Sequence, residues 1–213
     1  DCSTESIEKI KNICDRHKEV FLYSNKKREG ASYSRNKGIM VSKGDFIAFL
    51  DSDDEWLSFK LETQMEYMLN KKLNFTYTDY LKRNLKNNIT NIVITKRKYS
   101  MPSMAFRCLI ATPTVVINKK IIDENIFCNE FEYGEDLICW ALLSKKTPLK
   151  RLNKITTIVN VSKESCSASL YKQRKGFLNI NNTLFKNSKL TKVIHRIYYE
   201  LALIIKLIIK LIN

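Results

Sequence analysis

Gly44-Asp45-Phe46-Ile47-Ala48-Phe49-Leu50-Asp51-Ser52-Asp53-Asp54-Glu55-Trp56 is the stretch that decides how the remaining sequence is read. Five apolar residues, Phe46 to Leu50, run directly into a cluster of acids and a tryptophan. A short continuous apolar run after a glycine predicts a strand buried on both faces, as in a parallel sheet covered by helices. Such sheets take their ligands beyond the carboxyl ends of their strands, which places Asp51, Asp53 and Asp54 at the edge of a cleft. Carboxylates crowded together repel unless a cation lies between them, and hard oxygen ligands favour Mg²⁺ or Mn²⁺. An isolated D-x-D is more often a solvated turn or a helix N-cap, since Asp and Ser favour both. Its place directly behind a buried strand favours the metal here.

Upstream, Ser3 or Thr4 can cap a helix carrying Ile7, Ile10, Ile13 and Cys14 at helical spacing. Val20-Phe21-Leu22-Tyr23 reads as a strand, and residues 31–43 as a helix closed by Gly44. Downstream, Leu57, Leu61, Met65, Met68 and Leu69 form an amphipathic stripe, and Phe75-Thr76-Tyr77 a short strand. Strand–helix alternation of this kind predicts an α/β domain with a mostly parallel sheet. Residues 82–100 are polar and basic, expected as a mobile loop with Ile92-Val93-Ile94 as an edge strand. Thr112 to Ile117 and Ile155 to Val161 read as strands, Glu135 to Ser144 as a helix, residues 162–169 as a polar loop, and the remainder as helical.

The 213 residues suffice for one sizeable core with an appendage, and the formal net charge of +15 points to an anionic partner. No nucleic-acid motif accompanies that charge, so no nucleic-acid partner is expected. Six cysteines lack C-x-x-C spacing and sit mostly in apolar patterns, as small buried hydrophobes of a reducing compartment. His17 and His195 are isolated and suggest neither zinc nor a triad.

Four elements in order carry a resemblance. Asp1-Cys2-Ser3-Thr4 looks like the tail of a V-D-D-x-S-T segment, and Ala31-Ser32-Tyr33-Ser34-Arg35-Asn36-Lys37-Gly38 fits A-x-x-x-R-N-x-G. Phe49 to Trp56 is close to F-L-D-x-D-D-x-W, and Gly134-Glu135-Asp136 with Trp140 fits G-E-D-x-x-x-W. Together they resemble the family 2 glycosyltransferases of the GT-A fold, similar to those of bacterial lipopolysaccharide and capsule assembly. The resemblance implies a nucleotide-diphospho-sugar transferase fold, a three-layer α/β/α domain over residues 1–189 followed by C-terminal helices. It also implies that the family's first strand, helix and second strand, which complete the nucleotide pocket, are missing ahead of Asp1.

The resemblance assigns roles. Asp53 is implied as a metal ligand and Asp51 as a ligand of metal or ribose, with Mn²⁺ or Mg²⁺ as cofactor; Asp1 and Arg35 are implied at the nucleotide. A cation on the diphosphate stabilises the charge that accumulates as the glycosidic bond breaks. Asp136 is implied as the general base that deprotonates the acceptor hydroxyl in an inverting displacement, and Glu135 holds the acceptor or orients Asp136. Asp54 is a loop acid or a helix cap. Asn36 and Gly38 are structural, Gly38 permitting close helix–strand packing; Trp140 is core, and Trp56 packs beneath the metal loop. The family's Y-R-x-H is replaced by Val159-Asn160-Val161-Ser162, while Ser167-Ala168-Ser169 keeps its S-x-S. Lys163, Lys172 or Arg174 can supply the positive charge that the replaced arginine and histidine would bring to the diphosphate.

Residues 190–213 read as an amphipathic helix with Arg196, Glu200, Lys206 and Lys210 on one face, suited to an anionic membrane surface or to another protein face. The expected protein moves a sugar from a nucleotide donor, UDP-linked by resemblance, to a glycan or lipid-linked glycan acceptor at the cytoplasmic face of a bacterial plasma membrane. A haloacid-dehalogenase-type phosphatase also places D-x-D after a strand, but Glu55 stands where that family needs Thr or Val. A basic module binding anionic lipid or nucleic acid is the non-enzymatic rival, and its affinity would ignore Asp53 and fall steeply with salt.

Overall fold

Phe46, Ile47 and Ala48 form the first strand of the computed structural model, which describes residues 7–99, 104, 108–162, 170–189, 191–194, 196–197 and 199–201. In chain order the elements are α1 (Ile7–Arg16), α2 (Ala31–Val41), β1 (Phe46–Ala48), β2 (Glu55–Trp56), α3 (Lys60–Asn70), β3 (Phe75–Asn84) and β4 (Thr90–Val93). A 3₁₀ turn (Thr112–Thr114), β5 (Val116–Asn118), α4 (Glu135–Leu143), β6 (Lys150–Val161) and α5 (Leu170–Leu184) follow.

The strands run in the order β1-β5-β3-β6-β2, with β4 beside β3. The α/β class holds, but the expected predominance of parallel pairing does not. Among the described pairings only β3 with β6 is parallel; β1–β5, β3–β5, β3–β4 and β2–β6 are antiparallel. The reason lies in β3, ten residues long where three were expected. Its first six residues are buried, and one edge is shared end to end, by β5 at Phe75 and Thr76 and by β4 from Tyr80 to Arg83. Lys82 and Arg83 remain in the strand because Asn91 and Thr90 pair with them, so the expected loop begins as a hairpin turned at Asn88 (φ 54°). A bulge at Asp79 is held by a buried network, in which Asp79 accepts from the Thr95 N–H and hydroxyl and from Arg151. Those donors hold the Asp79 carboxyl below its ordinary range although burial alone would raise it.

Val20 to Tyr23 form no strand. All four are exposed, and no described strand lies alongside to satisfy their backbone, so apolar sequence alone does not make the pairing. The stripe on α3 also differs: Leu61 and Leu69 are exposed, and the buried face is Lys60, Gln64 and Met68. Lys60 is fully buried, donating to Gln64 Oε1 at 2.6 Å with its ammonium 5.0 Å from the Trp56 ring centre. Burial lowers its pKa to about 8.

The core joins Phe49, Phe75, Phe127 and Trp140, with Phe75–Trp140 and Phe127–Trp140 ring centres 5.4 and 5.8 Å apart, edge to face. Trp140 is core, as expected. Gly38 has open space where a side chain would be, so the expected close packing is not there. It occurs instead at Gly134 (φ 83°), where an added Cβ would lie 3.0 Å from the Gly176 carbonyl oxygen. Cys14, Cys108, Cys128 and Cys139 are free thiols. Cys2 and Cys166 lie outside the described residues.

Candidate functional site

β1 delivers Phe49 into the aromatic core, and two residues further Asp51 emerges beside α2. There Arg35 spans two acidic segments. One of its Nη atoms donates to Asp51 Oδ1 at 2.9 Å and the other to Glu135 Oε1 at 2.9 Å, while the guanidinium lies 5.5 Å from the Phe127 ring centre. Burial would lower the pKa of this arginine, but Asp51 and Glu135 outweigh it and keep the guanidinium protonated. Arg35 is not a solvated helix residue. Its neighbour Asn36 is buried and exchanges hydrogen bonds with the Phe127 backbone, donating to its carbonyl at 2.7 Å and accepting from its N–H at 3.0 Å. This fixes α2 against the segment that leads to Gly134, and the structural role expected for Asn36 follows.

Gly134 in the left-handed region starts α4, so Glu135 and Asp136 stand in its first turn, where carboxylates complement the helix dipole. Asp136 Oδ2 accepts from the Thr112 hydroxyl at 3.2 Å, and Oδ1 from the Leu137 N–H at 2.7 Å. Burial pushes both carboxyls above their ordinary range, and the Asp136 charge pushes Glu135 further; Arg35 pulls both back. A carboxyl raised towards neutrality and fixed by two donors suits proton transfer.

The acidic loop is tied at its far side to β6. Asn160 N donates to Asp54 Oδ1 at 2.9 Å, and Asn160 Nδ2 to the Asp53 carbonyl at 2.7 Å. Asp54 is therefore a loop brace, not a helix cap, and α3 begins later, at Lys60 after Phe59. Burial raises the Asp54 carboxyl to about 6, and the nearby acids Asp53, Asp51 and Glu55 push the same way. Trp56 closes the loop by donating from Nε1 to the Pro113 carbonyl at 2.8 Å. Asn160 stands where the sequence departs from Y-R-x-H. That departure is the only signal for it in the sequence, and it points to a missing cation, not to a brace.

The structure thus joins Arg35, Asp51 and Glu135 directly, and Asp136 adjoins them. Asp53 is exposed, and no hydrogen bond or ion pair engages its carboxylate among the described residues. Asp51 and Asp53 could hold a hard divalent cation only together with oxygens from a ligand or water, because no three metal-binding side chains converge among the described residues. Asp1, Lys163 and Ser167 to Ser169 lie outside the described residues. Arg174 pairs with Glu200 at 2.7 Å, and Lys172 lies 5.8 Å from the Tyr133 ring centre. Thr112, which the sequence pattern presents only as part of a strand, begins the 3₁₀ turn that faces α4.

The sequence matches the glycosyl transferase family 2 over residues 1–127. The chain belongs to that family. A glycosyltransferase of Rickettsia bellii is 31% identical over 196 residues, covering 90% of this chain and 28% of the relative. The Escherichia coli UDP-Glc:α-D-GlcNAc-diphosphoundecaprenol β-1,3-glucosyltransferase WfgD is 30% identical over 188 residues, covering 87% of this chain and 71% of WfgD. The chain spans less than a third of the length of the Rickettsia relatives. In structure it is similar to Staphylococcus aureus TarS residues 1–349, crystallised with UDP-GlcNAc. The TM-score is 0.63 at 16% identity, over 92% of this chain and 58% of that TarS fragment. That likeness establishes the GT-A-like fold of the family 2 chain.

Proposed function

We propose that this family 2 chain forms the catalytic part of a glycosyltransferase. It moves a sugar from a nucleotide-sugar donor, UDP-linked, to a hydroxyl of a lipid-linked surface glycan. The observation that carries the reading is the Arg35 bridge, which brings the exposed D-x-D loop and the Glu135-Asp136 pair to one site. The activity of WfgD, which uses a UDP-sugar and a diphosphoundecaprenol-linked acceptor, supports both substrate classes.

In this reading the Asp51 and Asp53 carboxylates would hold Mn²⁺ or Mg²⁺, which would supply positive charge against that of the departing diphosphate. Hard, exposed carboxylate oxygens at the end of a strand fit such an ion better than they fit zinc. Asp136 takes the proton from the acceptor hydroxyl as that oxygen attacks the anomeric carbon, and the donor diphosphate departs on the opposite face, inverting the configuration. Glu135 is held by Arg35 at the edge of the acceptor side, and Arg35 keeps the two carboxylate sets in register. Residues 1–189 form the catalytic domain, and the residues beyond serve as the membrane-facing appendage. Tyr199 stacks on Phe177 at 3.9 Å and Glu200 pairs with Arg174, which leaves Val193, Ile194, Ile197 and Leu201 exposed. That apolar row beside Lys192 and Arg196 supports peripheral attachment at the inner face of a plasma membrane. Among the described residues no helix is long and apolar enough to cross a membrane.

Calorimetric titration of the full-length polypeptide with UDP, GDP and dTDP, with and without Mn²⁺, tests the reading. Metal-dependent binding of UDP and not of GDP or dTDP, weakened on the order of a hundredfold in Asp53→Asn, is the expected result. No nucleotide binding under any condition would overturn it.

A further inference from the structure

The 3₁₀ turn Thr112-Pro113-Thr114 lies between the two halves of the site, and all three residues are buried. Its carbonyls are held from three elements. Pro113 O accepts from Trp56 Nε1 on β2 at 2.8 Å and from Thr157 Oγ1 on β6 at 3.4 Å. Thr114 O accepts from Gln64 Nε2 on α3 at 3.0 Å, and Gln64 is itself held at its other end by Lys60. The Thr114 hydroxyl closes the turn by donating to Ala111 O at 2.6 Å. A turn fixed at two consecutive carbonyls cannot slide without leaving buried donors unpaired, so the Thr112 hydroxyl is set in place before any substrate arrives. That hydroxyl donates to Asp136 Oδ2.

We propose that Thr112 is a positioning residue for the base: through its hydrogen bond it fixes the orientation of the Asp136 carboxylate, on a turn that the exit of the donor loop clamps through Trp56. The proposal rests on the reading of Asp136 as general base. Trp56 directly follows Asp53-Asp54-Glu55, so the contact that anchors the turn also anchors the end of the acidic loop. Arg35 joins the two acidic segments directly, and this turn joins them a second time, through Thr112 to Asp136 and through Pro113 to Trp56. A hydroxyl donating to a carboxylate favours its ionised form, and the Thr112 bond acts in that direction on Asp136. The other charged or titratable groups facing Asp136 are Arg35 from α2, Asp51 from the loop, Glu135 and Cys139 from its own helix, and Cys108 from the segment before the turn. None of these changes when the hydroxyl is replaced by a methyl.

Steady-state kinetics against pH on the full-length polypeptide test this, with Thr112→Val removing the donor at nearly constant shape and Thr112→Ser retaining it. Thr112→Val is expected to lower kcat roughly tenfold with the donor KM unchanged. The acidic limb of its profile moves to higher pH, because the base becomes harder to ionise, and Thr112→Ser restores both. An unmoved limb in Thr112→Val overturns the proposal, whether or not its activity falls. Should the valine variant fail to fold, Trp56→Phe, which frees the Pro113 carbonyl, is expected to move the limb the same way by less; no movement there overturns it. Asp136→Asn measured alongside separates the two claims. Activity retained in that variant removes the base assignment and this proposal with it. Activity abolished there with a wild-type Thr112→Val profile overturns this proposal alone.

Discussion

The molecule carries two acidic clusters that Arg35 holds together, and they differ in almost every physical respect. Asp51, Asp53 and Asp54 lie on a loop, Asp53 exposed, with the backbone tied down from behind by Asn160. Glu135 and Asp136 open a helix, half-buried, with both carboxyls pushed up by burial and each by a neighbouring acid, Glu135 by Asp136 and Asp136 by Asp51. An exposed Asp53 carboxylate over a braced backbone leaves room for a cation and an anion together. A sequestered set that resists ionisation is a place to put a proton. One arginine thus pairs at one end with a carboxylate of the acidic loop and at the other with a carboxylate of the sequestered pair.

This contrast is tested most severely at Asp136. Asp136→Asn is expected to lower kcat by about 10²–10⁴-fold while leaving UDP affinity within about twofold, as read by single-turnover kinetics and calorimetry. Equal losses in both quantities would mean that the clusters do not divide the work. Next comes Asp53→Asn, which should weaken Mn²⁺-dependent UDP binding on the order of a hundredfold and leave metal-free stability unchanged in a thermal melt. Arg35→Met removes the bridge and leaves two carboxylates facing one site without a cation. A stability loss of about 3 kcal/mol is expected at neutral pH by urea titration. That loss should shrink as pH falls, because carboxyls that can protonate no longer repel.

The last effect concerns Lys60, fully buried beside Trp56. Its folded pKa, about 8, lies below the ordinary lysine value of 10.5, so between those two values the folded state binds fewer protons than the unfolded one. Stability therefore rises with pH across that window and declines as pH drops towards about 8. Lys60→Met should flatten this slope in urea titrations between pH 7 and 10; an unchanged slope would mean that the buried ammonium is not responsible.

The strand before Asp51 and the helix start at Gly134-Glu135-Asp136 were legible because each is decided within one segment. The expected burial on both faces of that strand does not hold: β1 ends the strand order and pairs antiparallel with β5, and the apolar run buries Ile47 and Phe49 while Leu50 is exposed. Arg35 was visible as a candidate residue, but its two partners lie 16 and 100 residues away and could not be read from spacing. Asn160 and Thr112 escape a reading of the sequence for the same reason, since each acts on an acid from a different strand or turn. Where local pattern failed, a neighbour overruled it. Val20 to Tyr23 have strand-like side chains but no described strand to pair with, whereas Lys82 and Arg83 look like loop yet are paired by β4. On α3 the buried face falls to Lys60 and Gln64 in place of the leucines, because Gln64, held by Lys60, reaches the buried Thr114 carbonyl that an aliphatic chain would leave unsatisfied.

The crossing of Gly134 and Gly176 sets a tolerance that is unequal on its two sides. A methyl at Gly176 would meet Gly134 N and Tyr133 at 3.4 Å, an ordinary contact, whereas one at Gly134 would press into the Gly176 backbone at 3.0 Å from a strained φ. The helix that starts with Glu135 and Asp136 therefore has a hard stop behind it, built from main chain. The depth at which those two carboxyls sit is gauged by α5, an element that contributes no acid of its own to the site. A shift of the α5 axis would be transmitted through this contact to the first turn of α4.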